Sequence, residues 1–316
     1  MAISDSIKDE LIHTEVTKEC CAKAEICAAI LLSGGIGFRG FTHYALSITV
    51  TKPGISRYYF SLIKKFLGVT VEIRTSISDG KVQRTKYELV FPDDCVDEVM
   101  EKLRLKDENA LFGIASRLHE SITKEDHCGA SFLKSAFLIT GSMSDPDKEY
   151  ALTIGSAGEE MAQVLTDLMR RRGIRASMST RRSHFVTYIK NAEGISAMLA
   201  VIGAHSAMLN LENIRIVKDM RNSSNRQTNC DNNNINRTVA SANGQMEAIR
   251  FLAEKVGIEN LPEWAREIAS LRLENPDASL TELSELCDPP IGKSGVNNRL
   301  RRLMQLAQKY TEDEQA

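Results

Sequence analysis

Apolar and polar residues follow one another along the N-terminal two thirds of the chain in a pattern that occurs twice. Each copy begins with an apolar helix that ends at glycine, continues with an alternating strand and an amphipathic helix, and closes with two alternating strands and a helix. The first copy predicts strands near Tyr44–Val50, Val69–Ser76 and Lys81–Phe91 and helices over Ile55–Leu67 and Asp93–Leu103. The second predicts strands near Tyr150–Gly155, Arg175–Thr180 and His184–Lys190 and helices over Glu159–Arg172 and Ala192–Ile202.

The two copies are also similar residue by residue. The segment Cys21–Gly35 aligns with Cys128–Ser142, and Tyr44–Ile48 aligns with Tyr150–Ile154 at nearly the same offset. Matches in the same order at a nearly constant offset indicate an internal repeat. We therefore expect two α/β half-domains related by pseudo-twofold symmetry, which meet at the polar, helical stretch Asp107–Glu125.

Small residues at helical spacing mark the first helix of each copy. They let two helix backbones approach closely, which predicts that these helices pack against each other. An Ala-rich core helix is the alternative, because small residues also serve ordinary packing. The residues are Ala28, Ala29, Gly34 and Gly35 in the first helix and Ser135, Ala136 and Gly141 in the second.

The chain changes character after the second copy. Eight asparagines lie between Asn222 and Asn243, and such a composition is frequent in loops. Apolar residues nevertheless recur at helical spacing as far as Gly257, so we predict an amphipathic connecting helix that is entered through the Asn-rich segment. These residues are Val239, Ala242, Met246, Ile249, Leu252 and Val256.

Three short helices are predicted in the C-terminal segment. The first contains Pro262, which suits an initial helical turn, and it stops at Asn275-Pro276. The second covers Leu280–Leu286 and is opened by a capping box of Ser279 and Glu282.

The third helix follows a turn at Asp288-Pro289-Pro290 and is expected to be capped by Ser294. Its inward face is predicted to consist of Val296, Leu300, Leu303 and Leu306. Its exposed face is predicted to consist of Asn297, Asn298, Arg299, Arg301, Arg302 and Gln305. Two helices joined by a turn, the second with polar side chains outward, are the elements of a helix-turn-helix.

Charge is unevenly divided within this C-terminal segment. Lys293–Tyr310 holds five basic residues and no acid, whereas Pro262–Asp288 holds seven acids and two arginines. A positive helix face suits phosphate binding, and Asn and Arg near its start suit the edges of adenine and guanine. The formal net charge of the whole chain is only -2, so the case for nucleic acid rests on this local charge.

Bulk composition limits the other possibilities. A chain of 316 residues, 42% hydrophobic and 26% charged, is typical of a folded protein of two or three domains. The N-terminus lacks the apolar region of a signal peptide, and the longest apolar run, Ile26–Leu32, is too short to cross a bilayer. We therefore expect a cytoplasmic protein with no membrane partner.

The spacing of the cysteines predicts neither a metal site nor a disulfide framework. Among the seven, only Cys20 and Cys21 are close together, and there is no Cys-x-x-Cys motif or nearby pair of histidines. Reduced, buried thiols fit this spacing better than a disulfide framework or a zinc site. We expect no metal and no cofactor.

The repeat resembles the LAGLIDADG homing endonucleases. In that family two motif helices pack at a pseudo-twofold axis and end in acids that hold metal ions. Cys27–Gly35 and Lys134–Ser142 occupy the nine positions of the motif, so the two acids are replaced by Gly34 and Gly141. Glycine offers no ligand for Mg²⁺, which prefers carboxylate oxygens. We expect no catalytic residues and no enzymatic activity.

Two acids near the second motif do not restore such a site. Asp145 and Asp147 flank Pro146, and the first copy has no acid between Gly34 and Pro53. A symmetric two-metal site therefore cannot be built, and we interpret both aspartates as turn residues.

The whole chain resembles the WhiA family, most specifically in Asn275–Leu303. The resemblance implies an α+β fold, in which a pseudo-twofold LAGLIDADG-type double half-domain of helices over curved antiparallel sheets precedes an all-α helix-turn-helix domain. We expect half-domains over 1–106 and 107–218, an Asn-rich linker and connecting helix over 219–257, and the DNA-binding domain over 258–316. The resemblance also implies a nucleoid-associated, sequence-specific transcription regulator linked to cell division, chromosome segregation or sporulation.

Two surfaces are candidates for contact with double-stranded DNA at promoters or other chromosomal sites. The candidates in the C-terminal module are Ser279, Lys293, Ser294, Asn297, Asn298, Arg299, Arg301 and Arg302. Strand alternation also turns Tyr87, Leu89 and Phe91 inward, which leaves a basic sheet face for secondary DNA contacts, or for a protein or small effector. That face comprises Arg74, Arg84, Lys86, Arg175, Arg181 and Arg182.

The alternatives belong to other functional classes. One is an active homing endonuclease or intron maturase, which Gly34 and Gly141 disfavour. Another is a non-catalytic scaffold whose helix-turn-helix binds protein. RNA polymerase or another regulator is the protein partner that the family resemblance implies.

Overall fold

The computed structural model describes residues 3–39, 43–77, 85–106, 118–181 and 184–315. The chain separates into two compact units, 1–218 and 219–316. Each unit is built around its own cluster of buried apolar side chains.

The first half of the N-terminal unit contains helices and strands in alternation. The helices are α1 (Ile3–Leu11), α2 (Glu19–Ser33), α3 (Pro53–Leu67) and α4 (Val96–Lys102), the last preceded by a 3₁₀ turn over Asp93–Cys95. The strands are β1 (Ile36–Arg39), β2 (His43–Val50), β3 (Glu72–Ile77) and β4 (Thr85–Val90).

The second half repeats this order. After a 3₁₀ turn over Glu120–Ile122 come helices α5 (Asp126–Thr140), α6 (Glu159–Arg170) and α7 (Ala192–Ile202). The strands are β5 (Gly141–Met143), β6 (Leu152–Ser156), β7 (Ser177–Arg181) and β8 (His184–Ile189). Most of the predicted junction, Asp107–Glu125, lies outside the described residues.

The two sheets have the same topology. Their strand orders are β1-β2-β4-β3 and β5-β6-β8-β7, and every neighbouring pair is antiparallel. The internal repeat inferred from the sequence is thereby confirmed. Strands β1 and β5 and helix α1 were not predicted, because three or four residues are too few to show alternation and α1 has no counterpart in the second copy.

Side chains of the sheets alternate between core and surface as expected. Leu89 and Phe91 are buried and Tyr87 is half-buried against the same core, so the predicted inward face is confirmed. Strand β3 differs, because all six of its residues are exposed.

The two motif helices α2 and α5 pack closely against each other, as the small residues predict. Ala28, Ala29 and Ala136 are buried. The Ser135 hydroxyl donates a hydrogen bond of 2.6 Å to the main-chain oxygen of Glu25, a contact that requires the backbones to be near each other. Small side chains therefore set the separation of the two helices.

Enlarging these small residues should destabilise the N-terminal unit. Ala29→Leu and Ala136→Leu are each expected to lower the free energy of unfolding by about 1–3 kcal/mol, because the added methyl groups overpack the interface. Differential scanning calorimetry measures the loss. Ala240→Leu, at an exposed helical alanine, is the control and should leave the melting temperature nearly unchanged. Unchanged melting of both interface variants would disprove the close packing of α2 and α5.

The C-terminal unit contains most of a long helix and three shorter ones. Helix α8 (His205–Lys255) runs without interruption through the Asn-rich segment, which is therefore helical and not a loop. Leu211 near its start and Ile249 and Leu252 near its end are buried, whereas Val239, part of the predicted apolar face, is exposed. Helices α9 (Glu263–Glu274), α10 (Leu280–Leu286) and α11 (Lys293–Gln315) follow a 3₁₀ turn over Ile258–Asn260.

Candidate nucleic-acid interface

Helices α10 and α11 and the turn between them form a helix-turn-helix, with α9 packed against both. The predicted capping box opens α10. The Glu282 amide donates to the Ser279 hydroxyl at 3.2 Å, and the Ser279 amide donates to the Glu282 carboxylate at 2.7 Å. These hydrogen bonds lower the pKa of Glu282. The Ser279 hydroxyl, one of the predicted DNA contacts, therefore already binds the start of its own helix.

Helix α11 begins two residues earlier than a cap at Ser294 predicts. The carbonyl of Gly292 accepts the amides of Gly295 and Val296, so Ser294 lies in the first turn and does not cap the helix. The prediction that Ser294 is the cap is wrong. Its side chain is instead exposed at the start of the helix.

The two faces of α11 are clearly divided. Val296, Leu300 and Leu303 are buried in the core of the C-terminal unit, as predicted, and Leu306 packs against it. The exposed side chains lie at the helical spacing that places them on neighbouring surfaces of the first three turns. They are Lys293, Ser294, Asn297, Asn298, Arg301 and Arg302.

Arg299 does not belong to the exposed face, and its prediction as an exposed side chain is wrong. It is half-buried, and its Nη1 donates to the Glu267 carboxylate at 3.1 Å. The other Glu267 oxygen accepts the amide of Asp288 at 2.6 Å. One carboxylate thus joins α9, the turn and α11, which fixes the orientation of the last helix.

Arg302 lies over the ring of Trp264, with 4.7 Å between the guanidinium carbon and the ring centroid. The arginine is still exposed. A cation stacked in this way loses freedom but keeps its charge available to solvent. Trp264 therefore positions Arg302 on the outer surface of the module.

A buried arginine holds the connection between α9 and α10. Arg272 is only 2% exposed, and its Nη1 donates to the main-chain oxygens of Ala278 and Pro276 at 2.6 and 3.5 Å. Burial lowers the pKa of Arg272. No pattern of side chains indicates this role, because the partners of the Arg272 guanidinium are main-chain oxygens.

The predicted sheet face is only partly described by the structure. Arg74, Lys86 and Arg175 are exposed. Arg74 donates to Glu72 at 2.7 Å, so a neighbouring acid partly neutralises its charge. Arg84, Arg182 and the side chain of Arg181 lie outside the described residues. The described part of this face carries less free positive charge than the sequence suggested.

The two degenerate nuclease positions lie where the motif helices end. Gly34 follows α2 with φ +71°, a left-handed conformation that favours glycine. Gly141 follows α5, and a Cβ added there would lie 2.5 Å from the main-chain oxygen of Phe137. A carboxylate side chain at Gly141 would therefore require the backbone to move.

Asp145 forms a local turn, as predicted. Its carboxylate accepts the amide of Asp147 at 3.0 Å, and its carbonyl accepts the amides of Lys148 and Glu149. This carboxylate therefore stabilises the turn that follows β5.

The sequence did not predict a buried ion pair that links α2 and α5. Lys134 Nζ lies 3.3 Å from the carboxylate of Glu25, and both side chains are almost fully buried. The Tyr58 hydroxyl accepts from Lys134 at 2.8 Å and donates to Glu25. Burial raises the pKa of Glu25, while Lys134 and Tyr58 oppose that rise. Lys134, a charged residue within an apolar motif helix, was the feature of the sequence that could have indicated a buried partner.

Among the residues that the structure describes, no helix is both long and apolar enough to span a bilayer.

Three family models match successive parts of the chain. Residues 19–106 match the WhiA N-terminal LAGLIDADG-like domain, residues 129–221 the WhiA LAGLIDADG-like domain, and residues 224–307 the WhiA C-terminal HTH domain. The first two matches fall on the two halves of the repeat. The third includes the helix-turn-helix.

Curated relatives are similar over nearly their whole length. The probable cell division protein WhiA of Heliobacterium modesticaldum is 38% identical, over 98% of this chain and 97% of the relative. That of Alkaliphilus metalliredigens is 36% identical, over 97% of this chain and 98% of the relative.

The crystal structure of full-length WhiA from Thermatoga maritima has the same fold. It superposes with a TM-score of 0.59 at 24% sequence identity and covers 98% of this chain and 99% of that one. The predicted α+β fold, a LAGLIDADG-like domain followed by a helical helix-turn-helix domain, is thereby confirmed.

Proposed function

Because this chain belongs to the WhiA family, we propose that it is a sequence-specific DNA-binding transcription regulator that reads double-stranded DNA through α11. The family's helix-turn-helix domain supports DNA binding, and its relatives carry the name of probable cell division proteins. We extend this to promoters or other chromosomal sites on the nucleoid that control cell division, chromosome segregation or sporulation. RNA polymerase or another regulator is the protein partner in this proposal.

The observation that carries the proposal is the exposed face at the start of α11. A recognition helix presents its N-terminal residues to the major groove, where asparagine pairs with adenine and arginine with guanine. Asn297, Asn298 and Arg301 are exposed within the first three turns. The Glu267–Arg299 ion pair fixes this helix against α9. The three exposed side chains are therefore held on a rigid support.

Selection of bound duplexes from a random DNA library tests the proposal. We expect the full chain to enrich one motif and to bind it about 10³-fold or more tightly than random duplex at physiological salt. A library that remains unenriched, together with binding that does not depend on salt, would favour the protein-binding scaffold instead.

Arg302 is assigned to a phosphate in this proposal, because it lies farther along α11 than the asparagines. Arg302→Ala should weaken binding to specific and random duplexes alike and reduce the slope of log affinity against log salt by about one unit. Lys309→Ala removes the same charge about two turns later and should leave the slope unchanged. Equal slopes for Arg302→Ala and the parent protein would exclude this contact.

The N-terminal unit is proposed to be a non-catalytic scaffold. Metal ligation at the motif ends requires carboxylates where the chain has Gly34 and Gly141, and a side chain at Gly141 would collide with the main chain. We expect no strand scission by Mg²⁺ or Mn²⁺ on the selected duplex or on random DNA. Metal-dependent cleavage that disappears in Asp145→Ala would contradict this expectation and would support an active homing endonuclease.

A further inference from the structure

Four side chains with nitrogen or sulfur donors meet at the N-terminal ends of the two motif helices. Cys20 and Cys21 lie in the first turn of α2, and His127 and Cys128 lie in the first turn of α5. Their potential ligand atoms all lie within 4.8 Å of one another. Side chains distant in sequence, from both halves of the repeat, thus converge on one point.

The separations fit a tetrahedral metal ion. The Nδ1 atom of His127 lies 3.5 Å from Cys21 Sγ and 3.2 Å from Cys128 Sγ. In a tetrahedral zinc site, bond lengths of about 2.3 Å to sulfur and about 2.0–2.1 Å to nitrogen place these atoms about 3.6 Å apart. The cluster therefore needs only small side-chain adjustments to accept an ion.

Cysteine binds zinc as the thiolate, so a divalent cation that enters the cluster displaces the thiol protons. Three cysteines and one histidine thus supply both the negative charge and the donor atoms that a zinc ion requires.

We propose that Cys20, Cys21, His127 and Cys128 form a structural Zn²⁺ site that joins the two half-domains. Three thiolates and one imidazole are a complete tetrahedral ligand set for zinc, and they leave no position open for a substrate. Soft sulfur donors also disfavour Mg²⁺ and Ca²⁺. Cys20 and His127 are exposed, which gives the ion a path from solvent.

The site is distinct from the nuclease metal positions. Helices α2 and α5 each contain 15 residues, which places the four donors about 20 Å from Gly34 and Gly141 at the opposite ends. In the repeat Cys21 aligns with Cys128, and the preceding residues Cys20 and His127 correspond. The ion would thus lie near the pseudo-twofold axis and fix the start of one motif helix to the start of the other.

Metal analysis of the full chain, purified under reducing conditions with zinc present, tests the proposal. We expect one zinc per chain by mass spectrometry, and a fall in the melting temperature of the N-terminal unit after chelation that added Zn²⁺ reverses. Co²⁺ in place of zinc should give the intense visible absorption of a tetrahedral, sulfur-rich site. Cys21→Ser and Cys128→Ser should each abolish stoichiometric metal and this absorption.

Cys95→Ser and Cys230→Ser serve as matched controls, because both cysteines lie outside the cluster. Each should retain the full zinc content and the cobalt spectrum. His127→Cys preserves four donors and should retain zinc even if the serine variants fold poorly. Metal-free protein that gives no cobalt absorption under anaerobic, reducing conditions would overturn the proposal. So would a zinc content that remains unchanged in both Cys21→Ser and Cys128→Ser.

Discussion

Lys134→Met is expected to lower the free energy of unfolding of the N-terminal unit by about 3–5 kcal/mol at pH 7, because it leaves the carboxylate of Glu25 buried without its cation. Calorimetry of the full chain measures this loss. Trp264 is the sole tryptophan and lies in the C-terminal unit, so its fluorescence reports that unit separately.

The pH dependence of this variant has a definite sign. Burial raises the folded-state pKa of Glu25, and removal of Lys134 removes an interaction that opposed the rise. The folded state then binds the proton more strongly than the unfolded state, so stability is lost as the pH rises through the folded-state pKa. We therefore expect Lys134→Met to recover part of its stability as the pH is lowered from 7 toward 5.

Two variants make the test specific. Adding Glu25→Gln to Lys134→Met removes the stranded charge and should restore much of the lost stability. Lys23→Met breaks the exposed pair with Glu19 on the same helix and should change stability by less than about 1 kcal/mol. If Lys134→Met melts like the parent protein at every pH, the ion pair does not join α2 to α5 in solution.

Asn297→Ala and Asn298→Ala are each expected to lose about 1–3 kcal/mol of affinity for the selected duplex, which corresponds to about 5–150-fold. Both side chains are exposed at the start of α11, where a recognition helix reads base edges. Random duplexes should bind both variants nearly as tightly as the parent protein, because neither substitution removes a charge. Fluorescence anisotropy titrations of labelled duplexes measure both affinities.

Asn234→Ala provides the control for this pair. Asn234 is an exposed asparagine in the Asn-rich part of α8, so its substitution should leave both affinities unchanged. Equal losses on specific and random duplexes for Asn297→Ala and Asn298→Ala would show that these residues support binding without reading sequence.

Most of the fold could be predicted from the periodicity of apolar residues and from the internal repeat. The aligned motif helices, the alternating strands and the capping box at Ser279 and Glu282 depend on residues close in sequence, and all are present in the structure. The start of α11 was misplaced because Ser294 looked like a cap, while the carbonyl of Gly292 accepts the first helical hydrogen bonds.

The remaining differences involve partners that are distant in sequence. Arg299 was predicted to be exposed, because nothing nearby in sequence indicates that Glu267 approaches it from α9. Lys134 and Glu25 lie on different copies of the repeat, and only the packing of α2 on α5 brings them together. Charged residues on helices therefore need a tertiary structure before their roles can be assigned.

The cysteines illustrate the same difficulty. Spacing along the chain favoured isolated thiols, since Cys20 and Cys21 are far in sequence from Cys128. The aligned repeat already contained the relevant signal, because equivalent positions on two helices that pack at a pseudo-twofold axis lie close together. Donor residues at equivalent positions of a repeat can therefore be considered as one set.

Variants of the two candidate surfaces distinguish DNA reading by α11 from DNA reading by the sheet face. One variant combines Asn297→Ala, Asn298→Ala and Arg301→Ala on α11, and the other combines Arg74→Ala, Lys86→Ala and Arg175→Ala on the sheet face. Each is titrated with the selected duplex and with random duplex at several salt concentrations. We expect the α11 variant to lose at least about 30-fold in the ratio of specific to random affinity, and the sheet variant to keep that ratio. Retention of the ratio by the α11 variant, with its loss in the sheet variant, would contradict DNA reading by α11.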